Sequence, residues 1–251
     1  MYPNPLKQKL ANGEVVLGTA LAAPTAAVTS ATCQADIDFV WMDTEHAPYA
    51  TEALDTLPVI ARQNGVAPMI RVAWNDPALI KKAYDVGAVA VMVPQISTAE
   101  EAARAVEYAF YPPLGQRGVS PNWPRIAGED WNHVIQTANQ ETVLILQIES
   151  QQAYDNLDEI AEVPGIDVLF LGPMDLSASL GVITQMQDPA VQEIMQEFPR
   201  RLAEKGIPAG TTLSNIDEVR QKLDWGYRFM NVGNPLGYGV ETLDTYLASL
   251  R

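Results

Sequence analysis

VLILQIES (residues 143–150), QQAYDNLDEI (151–160), AEVPGID (161–167) and VLFLGPMD (168–175) run on without a break. The stretch opens on an apolar run and passes through a segment with helical periodicity. It then crosses Gly165 and reaches a second apolar run. Strands that are apolar on nearly every residue are buried on both faces. Two such strands joined by a helix form a parallel unit, because parallel pairing needs a long crossover.

The same alternation extends in both directions. Apolar runs recur at 15–21, 39–42, 69–72, 89–93, 207–211 and 229–232, and helical periodicity at 51–64, 76–86, 98–108, 189–205 and 215–225. Asn75-Asp76-Pro77 supplies a capping side chain before a first-turn proline. Gly87, Gly165, Gly206 and Gly226 stand where helices should end. Eight strands alternating with helices in 251 residues predict an α/β fold, a (β/α)8 TIM barrel forming one domain over 1–251. A doubly wound sheet would carry a glycine fingerprint after its first strand, and Gly18-Thr19-Ala20 does not supply one. The connection 110–140 is long enough to be functional or to carry short elements of its own.

Composition narrows the function. The 16 Lys and Arg face 31 Asp and Glu, a net charge of −15. No basic patch dominates such a field, so nucleic acid and anionic membrane are excluded as partners. One cysteine, Cys33, excludes an intrachain disulfide and a multi-cysteine zinc site. Residues 15–28 are uncharged and follow Lys7 and Lys9, but Glu14 and Pro24 argue against a secretory signal and the stretch is too short for a span. The expected location is cytoplasmic.

In a barrel, chemistry sits at the carboxyl ends of the strands. Asp43, Glu45 and His46 follow the second strand; Arg71 closes the third; Gln147 and Glu149 close the fifth; Gly172-Pro-Met-Asp175 follows the sixth. Each has a plain structural role open to it, as a cap, an ion pair or a helix N-terminal acid. Ionisable groups recurring on four separate strand ends point instead to one site. Glu149 and Asp175 suit a hard divalent cation with water completing the shell. His46 near Asp43 fits an oriented general base. Arg71 offers a forked donor to a carboxylate or enolate oxygen. Together these suit enolate formation beside a carbonyl. An imine mechanism needs a lysine in the pocket, yet Lys7, Lys9, Lys81, Lys82, Lys205 and Lys222 all fall in the N-terminal segment or on predicted helices. Cys33 reads as core and His133 as a surface residue of the long connection. The glycines of 232–239 form a loose phosphate-type pattern or a plain turn before the last helix.

At these residues the chain resembles the HpcH/HpaI family of metal-dependent pyruvate aldolases. The resemblance rests on Asp43-Thr-Glu-His-Ala-Pro48, Arg71-Val-Ala-Trp-Asn-Asp-Pro77, Val93-Pro94, Tyr111-Pro-Pro-Leu-Gly-Gln-Arg-Gly118, Gln147-Ile-Glu149 and Gly172-Pro-Met-Asp-Leu-Ser177. It implies reversible aldol cleavage of 4-hydroxy-2-oxo acids to pyruvate and an aldehyde, with Mg²⁺, Mn²⁺ or Co²⁺. It implies Glu149 and Asp175 as metal ligands, Arg71 on the enolate oxygen, and His46 with Asp43 as the base dyad. Gln147 would line the site, and the backbone of Met174 and Asp175 would take the substrate carboxylate. It also implies a homo-oligomer, a hexamer built as a trimer of dimers with exchanged C-terminal helices.

Three departures stand out. Ala20 replaces a common aromatic residue, and Thr211 and Thr212 replace aliphatic ones; both changes lie where the aldehyde half is expected, which makes Thr212 a candidate substrate contact. Residues 120–125, SPNWPR, also leave the usual pattern. A citrate-lyase or malyl-coenzyme A type lyase would need clustered basic residues for the coenzyme phosphates, and none cluster. A non-catalytic oxo-acid-binding barrel predicts loss of a site residue, and none is lost.

Overall fold

Eight runs buried on both faces require a sheet without edges, covered by helices outside and filled by its own side chains inside. The computed structural model, which describes residues 4–251, has that form: β1 to β8 pair in sequence order, all parallel, and β8 closes on β1. Helix α1 (Pro5–Ala11) precedes β1 (Val16–Ala20), followed by α2 (Ala26–Thr32), β2 (Phe39–Asp43), α3 (Leu57–Gln63), β3 (Ala67–Arg71), α4 (Pro77–Asp85), β4 (Ala90–Val93) and α5 (Ala99–Ala109). The long connection holds α6 (Trp123–Ala127) and α7 (Trp131–Glu141) before β5 (Val143–Ile148). Then come α8 (Gln151–Asp155), α9 (Leu157–Ala161), β6 (Val168–Leu171), α10 (Pro173–Ser179), α11 (Pro189–Lys205), β7 (Ala209–Thr212), α12 (Ile216–Trp225), β8 (Phe229–Asn231) and α13 (Pro235–Ser249).

The inside of the barrel is aromatic. Phe39 stacks on Phe229 with ring centroids 4.4 Å apart, and Phe170 meets Trp41 and Phe229 edge-on at 5.7 and 6.4 Å. These rings fill the floor beneath the strand ends. Gly18 makes room for them: a Cβ there would lie 2.5 Å from the Phe39 ring. Outward residues such as Val40, Ile70, Val91, Leu144 and Leu169 form the second core, between strands and helices.

The expected elements are present, with informative shifts. The helix anticipated over 51–64 divides into a 3-10 turn at Thr51–Ala53 and α3. Pro58 explains the break, because it lacks a donor and is best accommodated in the first turn it occupies in α3. The helix over 151–160 divides likewise at Asn156, whose side-chain amide donates to the Ser97 carbonyl at 2.8 Å. Cap assignments held: Asp76 accepts from Ala78 and Leu79, and Gly206 and Gly226 end α11 and α12 in the left-handed conformation. The connection 110–140 is therefore no open loop, and His133 lies exposed on α7. Residues 235–239 open α13 as ordinary helix, the Gly237 N–H donating to the Asn234 side chain, so the loose glycine pattern is a capped helix start. Cys33 caps the end of α2 and is buried, which pushes its thiol up to about 11.

Candidate active site

The strand register places the first half of the site. Asp43 ends β2 directly opposite Arg71, which ends β3. Both side chains point to the barrel mouth and pair there: Arg71 Nε donates to Asp43 Oδ1 at 2.8 Å and Nη2 to Oδ2 at 2.7 Å. The Thr44 N–H and hydroxyl both donate to the Arg71 carbonyl, at 2.9 and 2.6 Å, tying the two strand ends together. Arg71 Nη1 lies 2.9 Å from Glu45 Oε2 and donates to Gln147 Oε1 at 3.4 Å. The guanidinium rests 4.7 Å above the Trp41 ring and is only 7% exposed. A planar donor fixed on three sides cannot swing away, which is the preorganisation that charge stabilisation requires. Burial raises the Asp43 carboxyl, but the hydrogen bonds and charge of Arg71 outweigh it and hold Asp43 below its ordinary value.

The pairing expected between Asp43 and His46 is not the one the side chains make. Asp43 is committed to Arg71, and Oδ1 also accepts from the Glu45 N–H at 3.0 Å. The ion pair of His46 among the described residues is with Glu45, Nε2 to Oε2 at 3.7 Å. His46 stays open to the cavity, its side chain 60% exposed. Sequence reasoning gave Glu45 no role. The turn after β2 folds it back beneath His46, and no strand periodicity reports that direction.

The second half gathers around Glu149. Its Oε1 accepts from the Gln95 N–H at 2.8 Å, and Oε2 from the Gln147 side-chain amide. Gln95 holds that N–H in place from a left-handed backbone conformation, φ 55°, which costs a non-glycine residue energy. Burial, then the charge of Glu45, and that of Asp175 push Glu149 up to about 7, against the hydrogen bonds from Gln95 and Gln147. Gly172 keeps the space beside it open, since a Cβ there would lie 2.9 Å from both Gln147 Nε2 and Glu149 Oε2. Asp175 stands in the first turn of α10, exposed, as does Met174.

Two hollows meet at Asp175. One, of about 460 Å³, is lined among others by Trp41, Asp43, His46, Arg71, Gln147, Met174 and Thr212. The other, of about 260 Å³, is lined by Gln95, Ser97, Glu149, Ser150 and Asp175. All the expected site residues except Glu149 thus share one cavity, and Glu149 faces the adjoining one. A hard cation fits the donor chemistry here: carboxylate oxygens from Glu149 and Asp175 on one hollow, beside a cradle kept empty by Gly172. Among the described residues no three acidic, histidine or cysteine side chains close around a single point, so water would complete the shell.

Of the three residues expected to meet the aldehyde half, Ala20 and Thr212 line the cavity, whereas Thr211 does not. Its hydroxyl donates to the Leu171 carbonyl at 3.0 Å, outside the barrel interior. Residues 123–127 are α6, and Trp123 is packed against Val59 and Val134 instead of facing the cavity. Sequence reasoning missed Asn231, which ends β8 on the cavity wall. No helix is long and apolar enough to cross a membrane among the described residues.

Comparison with known proteins agrees with this fold. The family described as HpcH/HpaI aldolase/citrate lyase matches residues 18–238. The 2-keto-3-deoxy-L-rhamnonate aldolase of Escherichia coli (strain K12) is 37% identical over 253 residues, covering 100% of this chain and 94% of that protein. A solved HpcH/HpaI aldolase/citrate lyase family protein from Burkholderia cenocepacia J2315 superposes with a TM-score of 0.92 at 31% identity, covering 99% of each chain. The HpcH/HpaI aldolase of Desulfitobacterium hafniense DCB-2 does so with a TM-score of 0.86 at 30% identity, over 97% of this chain and 94% of that one. A closed barrel with a clamped arginine facing two carboxylates, matched over nearly its whole length, belongs to the HpcH/HpaI aldolase/citrate lyase family.

Proposed function

We propose that this carbon–carbon lyase reversibly cleaves 4-hydroxy-2-oxo acids of the 2-keto-3-deoxy sugar-acid type to pyruvate and an aldehyde. The observation that carries the reading is the fixed Arg71 fork facing the same cavity as Asp175 and His46. Glu149 and Asp175 would hold a divalent cation (Mg²⁺, Mn²⁺ or Co²⁺), which when bound supplies a Lewis acid for negative charge at the C2 oxygen. Arg71 donates to that same oxygen as charge develops. The Met174 and Asp175 N–H groups, unpaired within the first turn of α10, receive the carboxylate. Gln147 steadies both Arg71 and Glu149. His46 moves the proton, taking it from the C4 hydroxyl on cleavage or from the pyruvate methyl group on condensation. Glu45 lies nearest its imidazole, and Asp43 acts on it through charge and through Arg71. Thr212 meets the aldehyde half, and Ala20 leaves room for it.

The oligomer is part of the proposal. Helix α13 buries none of its residues, and its large apolar side chains stand 38% to 65% exposed. Such a surface suits a protein contact. An apolar groove of about 460 Å³ between α2 and the start of α13, lined by Val28, Ala31, Ile37 and Leu236, could take the same helix from another copy. This supports helix exchange in a homohexamer, a trimer of dimers. A cytoplasmic location fits the lone buried thiol.

The test is a retro-aldol screen of 2-keto-3-deoxy acids, following pyruvate release. Chelation should abolish release, and Mg²⁺, Mn²⁺ or Co²⁺ should restore it. Full turnover in excess chelator, or a lysine adduct trapped by borohydride, would overturn the metal-dependent reading.

A further inference from the structure

Two buried polar atoms on the wall of the main cavity have no hydrogen-bond partner: the indole Nε1–H of Trp41 and Oδ1 of Asn231. The residues are 5% and 4% exposed. A buried donor or acceptor left unpaired is costly, and native proteins rarely tolerate one without a reason. Asn231 is not loose, because its amide N–H donates to Thr212 Oγ1 at 2.8 Å. Whichever end of the amide turns to Thr212, the other end is left to the cavity. Trp41 is fixed too, between the Phe170 ring and the Arg71 guanidinium.

The barrel register places the two orphans on either side of β1. Asn231 on β8 pairs with Gly18, and Trp41 on β2 pairs with Ala20. Strand β1 therefore puts only a hydrogen and a methyl group between them on the inner face. A larger side chain at residue 20 would cover this gap. The oxo-acid end of the cavity is taken up by Arg71, Gln147 and Asp175, and the wall of β7, β8, β1 and β2 is left for the remainder of the substrate.

We propose that Asn231, positioned by Thr212, and the Trp41 Nε1–H form a pair that selects substrates carrying a hydroxyl in the aldehyde-derived half. A hydroxyl donates and accepts through a single atom. It would donate to Asn231 Oδ1 and accept from Trp41 Nε1–H, satisfying both orphans in one contact. An acceptor lacking it leaves them unpaired, and sites built this way discriminate far more strongly than apolar pockets do. The proposal rests on the aldolase reading above and adds to it the residues that choose the aldehyde.

The decisive measurement is a ratio. With pyruvate saturating and divalent metal present, kcat/KM is determined for 2-hydroxypropanal and for propanal, which differ by one hydroxyl. A second arm uses 3-hydroxypropanal, to find which carbon carries the hydroxyl that is read. Wild type, Asn231→Leu and Trp41→Phe are compared, the last keeping a ring while losing the N–H. The hydroxy-to-deoxy ratio should fall about tenfold or more in both variants. Exchange of pyruvate methyl protons with deuterated water, which needs no aldehyde, is followed in parallel. It reports the oxo-acid half separately. A falling ratio in variants that still exchange supports the proposal. An unchanged ratio in either variant that still exchanges overturns it. No exchange and no aldol product in wild type would overturn the aldolase reading, and this inference with it. If Asn231→Leu does not fold, Trp41→Phe alone decides by the same ratio.

Discussion

Arg71 carries the sharpest expectation at the scale of single residues. Its fork is engaged on three sides, and a lysine would keep the charge but lose the planar geometry. Arg71→Lys should lower kcat/KM by about 10²–10³, the usual cost of losing one preorganised contact to developing charge. Steady-state kinetics check this, and a variant within threefold of wild type would remove Arg71 from the chemistry. His46→Ala should spare pyruvate binding yet slow methyl-proton exchange with deuterated water by about 10²–10⁴, the range for losing a general base. Exchange at the wild-type rate would mean that His46 serves only the C4 hydroxyl. Residue types and spacing singled out Arg71, His46 and Asp175, which the fold brings to one cavity, and Glu149, which faces the adjoining one. They were not enough for Glu45 or Gln95, because a turn, not a strand period, decides where each points. The same limit hid the bond between Asp43 and Arg71: the register that pairs them exists only once β2 and β3 lie side by side.

Among the elements, α13 makes the clearest demand on the surroundings. Leu243, Tyr246 and Leu247 stand exposed along it, and a helix with no buried face gains little stability alone. The double variant Leu243→Asp, Leu247→Asp should therefore break the assembly into monomers while leaving the barrel's circular dichroism intact, as light scattering would report. An unchanged mass would show that α13 is not the contact. Element positions were legible where apolar runs were pure: β5 and β6 begin where the two quoted apolar runs begin, at 143 and 168, and α11 falls on 189–205. Helix α7 was hidden because its buried stripe is only Val134 and Ala138, too thin to mark a period. Helix α6 is a single turn led by Trp123-Pro124, and short runs of that kind carry no periodic signal.

Over the whole molecule, the net charge of −15 makes the protonation of buried carboxyls matter for stability. Asp85, at the end of α4, has a buried Oδ1 without a hydrogen-bond partner. Burial pushes it up to about 6, with Arg117 and Lys81 opposing only in part. A carboxyl raised in the folded state stabilises the fold while it is protonated, and that contribution is lost as pH rises through its folded value. Asp85→Asn should accordingly flatten the fall in Tm between about pH 4 and pH 6.5 relative to wild type. Thermal unfolding across that range checks it, and parallel curves would assign the fall to other groups.

The pairing of Asp43 with Arg71 across β2 and β3 links folding quality to chemistry. A slip of one residue between those strands would turn one partner of the clamp to the opposite face of the sheet. A molecule so misaligned could keep its helices and much of its compactness, yet it would have no fixed fork at the mouth. Specific activity in a refolded preparation would then count the molecules whose second and third strands are in register, a fraction that circular dichroism and gel filtration would pass over.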